Sequence, residues 1–385
     1  MYARSLNIIK KHSFFLFGAR GTGKSSYIQR HFSEEEALYV DLLLPREFDV
    51  LNRDPEELSR RISALPNEQR WIIIDEVQRI PKLLNLVHHH IERSNVLFGL
   101  TGSSARKLKR GAANLLAGRA LIYSLFPLTH VELGTDFDLL KVLSVGSLPG
   151  IFTADPTIQS KMLSAYTHAY LREEVQAEQL VRAIDPFHLF LAVAGQMSGK
   201  LINYSAIARE SGVSDRSIKE YFQILEDTLL GFHLLPFHES IRKRQRHSPK
   251  FYIFDEGIQR SLASTLSIPL KTGTSMFGDA FERWLICEVY RLIKYADNDY
   301  HMSYLRTKDD AELDLILQRP GLPNALIEIK STDSIRPEHV SNVKRFARDM
   351  GNAEAFILSR DPHSKIIDGI NILPWRQGLQ ELGLC

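Results

Sequence analysis

Apolar and polar positions follow three regimes along this chain. In the first third, short apolar runs are separated by segments long enough for helices. Phe14–Phe17, Ala37–Asp41, Trp71–Glu76 and Val96–Leu100 predict buried strands, and Pro55–Leu65 predicts a polar helix. In the middle third, apolar residues recur at helical spacing. Asp155–Arg182 predicts one or two helices, and Pro186–Gln196 starts a new helical unit. Asn203–Glu226 reads as helix-turn-helix: Tyr204–Glu210 is the short helix, Ser211-Gly212-Val213 the turn and Ser214 the N-cap. The second helix puts Ile218, Phe222, Leu225 and Leu229 on one face, and Arg216, Lys219, Glu220 and Gln223 on the other. In the last third, a helix over Phe277–Lys294 carries the stripe Phe281, Leu285 and Val289, with Glu282 beside it. Strands follow at Tyr300–Arg306, Glu312–Leu317 and Ala325–Lys330, then a helix at His339–Arg348 and a strand at Glu354–Leu358. The predicted fold class is α/β.

The first strand leads into Gly18-Ala19-Arg20-Gly21-Thr22-Gly23-Lys24-Ser25, which fits G-x-x-x-x-G-K-[ST], and a helix opens at Ser26. Gly18, Gly21 and Gly23 let the backbone curl with its N–H groups inward, and the helix N-terminus adds its positive dipole end. Gly18, Arg20, Gly21, Thr22, Gly23, Lys24, Ser25 and Ser26 are the expected ATP-binding set. Lys24 reaches the β- and γ-phosphates, and Ser25 ligates Mg²⁺. About fifty residues on, the strand WIIIDE ends in two acids. Asp75 is expected to hold Mg²⁺ through water, and Glu76 to orient or deprotonate the attacking water. Thr101-Gly102-Ser103-Ser104, after the next strand, either senses the γ-phosphate or caps the following helix. Arg106, Arg110 or Arg119 is an arginine-finger candidate, in cis or from a neighbouring copy; a surface ion pair is the alternative for each.

A length of 385 residues suggests two or three domains, and 44% hydrophobic with 24% charged residues is ordinary for a globular chain. Net charge is only +2, so any nucleic-acid footprint is local. Cys287 and Cys385 are too few for a disulfide framework or a cysteine zinc site, and Cys287 is expected in the core. No apolar run reaches the 18 or so residues that span a membrane, and Phe14–Phe17 is too short for a signal peptide. The expected setting is cytoplasmic, without a membrane partner. His88-His89-His90 splay around a helix rather than converge on a metal, and are expected on a solvated face.

GARGTGKS, WIIIDEVQRI, LTGSSAR and LLAGRALIYSLFPLTHVEL, followed by GSLPGIF and AYLREEV, resemble in order and spacing the prokaryotic AAA+-like P-loop ATPases that carry a carboxy-terminal domain of unknown function with a restriction-endonuclease-like fold. The resemblance implies an ATPase core (1–135), a helical connector (136–185), a winged helix (186–250) and a PD-(D/E)XK nuclease-like α/β domain (251–385). In the last domain, Glu328 and Lys330 share a strand face two residues apart, and Glu312 shares one with Asp314. The resemblance implies that Glu282, Asp314 and Glu328 gather Mg²⁺ and that Lys330 supports the attacking water or the phosphate. The winged helix serves DNA or protein contacts. The basic run Ile241–Lys250 sits where a wing would be, either as a phosphate-binding patch or as solvated surface. The function implied is a nucleotide-gated nuclease acting on DNA, with homo-oligomerisation open. The alternative is a non-cutting ATP-driven DNA-binding or signalling switch.

Overall fold

The computed structural model describes residues 2–33, 35–66, 69–103, 116, 118–170, 184–237, 248–307 and 309–385. They form two compact units, Met1–Leu128 with Gln223–Leu230, and Thr129–Phe222 with Gly231–Cys385. Ser104, Arg106, Arg110, most of AYLREEV and most of the basic run at 241–250 lie outside the described residues.

The first unit is built on a five-stranded sheet. Its strands are β1 (Ser13–Phe17), β2 (Ala37–Asp41), β3 (Trp71–Asp75), β4 (Leu97–Gly102) and β5 (Ala120–Ser124), in the order β2-β3-β4-β1-β5. Every neighbouring pair is parallel. β1 and β3 are buried at all five positions, which is why they read as unbroken apolar runs. Leu51, Leu58, Ile62, Leu83, Leu84 and Val87, from the helices Pro45–Arg53, Glu56–Ser63 and Leu83–Arg93, pack on Val40, Ile72, Ile74, Phe98 and Leu100. Gly99 keeps β4 close to its neighbours: a Cβ there would lie 2.5 Å from Ile73 and 2.8 Å from the Phe14 ring. All five carboxyl ends share one edge of the sheet, where ligands of such sheets bind.

The second unit holds a mixed eight-stranded sheet. Its strands are β6 (Gly231–Pro236), β7 (Lys250–Ile253), β8 (His301–Arg306), β9 (Glu312–Gln318), β10 (Asn324–Lys330), β11 (Ala353–Ser359), β12 (Lys365–Ile367) and β13 (Ile370–Pro374), in the order β12-β13-β11-β10-β9-β8-β6-β7. β8, β9 and β10 run antiparallel in turn, and β11 returns parallel to β10. The helix Ser275–Ala296 precedes this series, and Ser341–Met350 connects β10 to β11.

The helices Tyr204–Ser211 and Asp215–Asp227 flank Gly212, whose φ of 68° makes the sharp turn. Ser214 Oγ accepts from Ser217 N–H at 3.1 Å, the cap the sequence predicts. Phe222 packs edge-on against Phe190 at 4.8 Å and at a tilt against Phe251 at 4.9 Å. The apolar stripe is one residue shorter than the spacing suggests. The helix stops at Asp227, and Leu229 has φ 57°, so it leaves the helical face and packs on the core of the first unit.

Candidate functional site

The phosphate loop leaves β1 at Gly18, where a Cβ would meet Leu125 O at 2.6 Å and Thr22 Oγ1 at 2.7 Å, so only glycine fits. Gly21 and Gly23 take φ values of 80° and 94°, and Gly23 opens the helix Lys24–His31. Thr22, buried, donates its hydroxyl to Ala19 O at 2.8 Å. Arg4 clamps the loop from outside, donating to Thr22 O at 2.7 Å and Phe126 O at 2.5 Å. Arg20 and Ser26 are exposed at the loop and the helix start.

Lys24 is buried, donates to Gly18 O at 2.8 Å and lies 3.8 Å from Glu76 Oε1. Ser25 Oγ donates to Asp75 Oδ2 at 2.8 Å, and Tyr39 OH donates to the same oxygen at 2.7 Å. Burial first, and then the Asp75 charge, push the Tyr39 hydroxyl far above its ordinary range, so it remains a donor. Thr101 Oγ1 donates to Asp75 Oδ1 and accepts from the Glu76 N–H at 3.1 Å. Glu76 sits in the left-handed region (φ 59°, ψ 47°), and Gln78 Nε2 donates to its carboxylate and to Ser103 Oγ at 3.2 Å. Thr101 thus braces both acids at the end of β3, and Ser103 holds Gln78 beside Glu76. The hydroxyl of Ser25 and the carboxylate of Asp75 are hard oxygen donors at hydrogen-bonding distance, a pair that fits Mg²⁺.

The structure does not bring Arg119 to this loop. Ala120 pairs with Ser13 and Ser124 with Phe17, so Arg119 lies at the amino-terminal edge of the sheet, roughly 16 Å away at ~3.3 Å per strand residue. There it pairs with Glu92 at 2.6 Å. A finger from Arg119 in cis does not fit; the parallel direction of β5 decides this.

In the second unit, Asp314 and Glu328 stand on the adjacent strands β9 and β10. The antiparallel register pairs Leu315 with Ile327, so the next position brings the two acids level. Asp314 Oδ2 accepts from Ile329 N–H at 2.7 Å. Lys330 Nζ donates to Glu328 Oε1 at 2.6 Å, while Glu328 Oε2 is buried without a partner among the described residues. Glu282 approaches from the helix, with its Oε1 3.9 Å from Lys250 Nζ. Lys250 is buried and pairs with Glu312 Oε1. Burial, and then Asp314, push Glu282 up to about 8 and Glu328 up to about 7; burial also raises Asp314.

Among the described residues, no group of three His, Cys, Asp or Glu side chains is placed to hold a metal ion, and ammonium groups stand beside Glu282 and Glu328. One expectation is corrected here. Lys250, read as the end of a surface basic run, is a strand residue that neutralises this cluster. His90 also departs from a purely solvated face, with its Nε2 3.1 Å from Ser59 Oγ.

The raised carboxyls set a pH dependence. A carboxyl whose folded pKa exceeds its unfolded value stabilises the fold while protonated. That contribution is complete below the unfolded value of 4.5 and is lost as pH rises through about 7 for Glu328 and about 8 for Glu282. Thermal melting should therefore favour Glu282→Gln over wild type at pH 9, by roughly several degrees, with the advantage gone at pH 4. Equal curves at both pH values would show that the cluster is not strained.

The comparisons with known proteins bear first on the phosphate loop. Residues 10–134 match a family described as an AAA domain. Over these residues the amino-terminal part of the chain is similar to AAA domains. Behind that stretch, residues 136–268 and 277–377 match two separate domains of unknown function. An uncharacterized protein of Mycobacterium tuberculosis and one of Mycobacterium bovis are each 31% identical over 297 residues, 74% of this chain and 65% of theirs. The chain thus spans 65% of the length of these relatives. An uncharacterized protein of Haemophilus influenzae is 21% identical over 268 residues, 63% of this chain and 67% of its own. A structure of the Drosophila origin recognition complex bound to AT-rich DNA and Cdc6 overlaps 67% of this chain and 86% of its own at 11% identity. Its TM-score is 0.23, which carries no argument.

Sequence reasoning missed Arg4, Tyr39, Gln78 and Lys250. Arg4 and Gln78 carry no local signal. Lys250 directly precedes the apolar run FYIF, a pattern that suits a strand start better than a solvated run.

Proposed function

We propose that the chain binds ATP with Mg²⁺ and hydrolyses it, and that its nucleotide state governs a nuclease-like module that acts on nucleic acid, DNA in the first instance. The hydrogen bond of Ser25 to Asp75 at 2.8 Å, with Lys24 and Glu76 3.8 Å apart, carries the first half. Lys24 holds the β- and γ-phosphates, Asp75 orients Mg²⁺-bound water, and Glu76 aligns the attacking water. The ion, when bound, supplies charge neutralisation on the transferred phosphoryl group.

The second half rests on the order helix–β8–β9–β10–helix–β11, with Asp314 and Glu328-x-Lys330 on adjoining strands. This supports a PD-(D/E)XK-like reading, with cleavage at the Asp314–Glu328–Lys330 cluster. The exposed face of Arg216, Lys219 and Gln223 is the proposed winged-helix surface for nucleic acid, although Arg216 already pairs with Glu220 at 3.2 Å. The proposed working segments remain 1–135, 136–185, 186–250 and 251–385. With Arg119 distant from the loop, a finger from a second copy is the proposed route to fast hydrolysis.

A second reading, a switch that binds nucleic acid without cutting it, is favoured by the lysines among the carboxylates. Incubation of DNA and RNA with the full chain in Mg²⁺ or Mn²⁺, with and without ATP, decides between them. Cleavage lost in Lys330→Ala and altered in Lys24→Ala is the expected result. Intact ATPase activity with no product from any substrate would establish the switch.

A further inference from the structure

The acid cluster of the second unit already contains a cation. Lys250 enters at the start of β7, with a side chain only 4% exposed, bonds Glu312 Oε1 and stands 3.9 Å from Glu282 Oε1. Glu312 is also approached by Arg306 at 3.9 Å, and on the far side Lys330 takes Glu328 Oε1 at 2.6 Å. Four carboxylates, Glu282, Glu312, Asp314 and Glu328, are thus served by ammonium groups at two edges. Glu328 Oε2 and the Tyr252 hydroxyl are buried without partners among the described residues. The Tyr252 hydroxyl is pushed well above its ordinary range, by burial first and then by the charges of Glu282 and Asp314. A cavity of about 240 Å³, lined by Lys250, Glu282, Glu312, Arg306 and Asp279, opens this edge to solvent ions.

An ammonium group and a divalent ion compete for the same carboxylate oxygens, because both are stabilised by the negative charge there and each repels the other. We infer that Lys250 is the resident cation at the Glu282–Glu312 edge and holds the place that a divalent metal would take, so that this edge is charge-satisfied without metal. The inference takes from the proposed function only the identity of the cluster. It is tested by ion binding rather than cleavage, so either can fail alone.

The test is titration of the full chain with Mn²⁺ in the absence of nucleotide, read as free Mn²⁺ by electron paramagnetic resonance. Wild type is compared with Lys250→Met and with the Lys250→Met, Glu282→Gln double variant. Methionine keeps the stem in the core and removes the charge. Any ion held by Ser25 and Asp75 is common to all three proteins and cancels. Lys250→Met should gain a Mn²⁺ site at least about tenfold tighter than any wild-type counterpart, since a unit charge at ~4 Å no longer opposes the ion. The double variant should lose it. No gain in a folded Lys250→Met protein overturns the inference. If Lys250→Met does not fold, Glu282→Gln in the wild-type background decides. Unchanged Mn²⁺ binding supports the resident lysine, and a tenfold loss overturns it.

Discussion

Glu76→Gln should bind ATP as tightly as wild type while turnover falls by roughly 10²–10⁴-fold, the span of a lost general base. The geometry explains the separation of binding from rate. The Glu76 backbone is held in the left-handed region by its N–H bond to Thr101 Oγ1 at 3.1 Å, and its carboxylate receives Gln78 Nε2. Glutamine keeps the shape but cannot accept a proton from water. Lys24→Ala should fail earlier. Lys24 is buried at the loop and meets Gly18 O at 2.8 Å, a bond that the proposed function has it exchange for phosphate oxygens. Its loss should weaken binding of a fluorescent ATP analogue by at least about tenfold, the cost of one charge-assisted contact. Both are read by analogue titration beside phosphate release. Glu76→Gln turning over at the wild-type rate would remove Glu76 from the mechanism, and tight binding by Lys24→Ala would remove the lysine from the phosphate site.

Gly146→Ala should unfold the second unit at markedly lower temperature. Gly146 ends the helix Leu139–Val145 with φ 74° and ψ −167°, a region essentially reserved for glycine. A Cβ there would stand 1.9 Å from Asp255 Oδ1. Asp255 cannot simply step aside. Its Oδ2 accepts Ser147 N–H at 2.7 Å, and its Oδ1 accepts Ile258 N–H at 3.1 Å at the start of the helix Glu256–Leu262. Strain and a displaced buried carboxylate together should cost about 3 kcal/mol or more. In a chain of this size that is a shift of the order of several degrees, seen by differential scanning calorimetry. Gly150→Ala, where a Cβ meets nothing within 4 Å, is the control and should melt as wild type does. A Gly146→Ala protein equal to that control would mean that the Asp255 bonds contribute little.

The two candidate sites differ in how far the sequence reached them. The phosphate loop is contiguous. Its glycines, Lys24 and Ser25 act through backbone curvature and helix position, which neighbours in the chain settle. The acids at Asp75 and Glu76 were legible for a similar reason, since a buried strand can end in charge only where the sheet edge meets solvent or a ligand. Arg4, Tyr39 and Gln78 reach the same place from other segments, and no local pattern distinguishes them from surface or core residues. In the second unit, alternation on β10 put Glu328 and Lys330 on one face, and the 2.6 Å pair agrees. Alternation on β9 put Glu312 beside Asp314 but gave Glu312 no role. Its partner comes from β7, at a sequence separation no periodicity spans.

The sequence by itself determined the parallel α/β core, the phosphate loop with its two acids, and the helix and strands that carry Glu282, Asp314, Glu328 and Lys330. Each of these rests on local periodicity, glycine conformation or residues a few positions apart. Only the tertiary structure decided that Arg119 lies at the far edge of its sheet, that Leu229 leaves its helix, and that Lys250 is buried against Glu312 and close to Glu282. Strand direction, a positive φ and the enclosure of a charge by distant carboxylates all depend on which segments pack together, and local pattern does not carry that information.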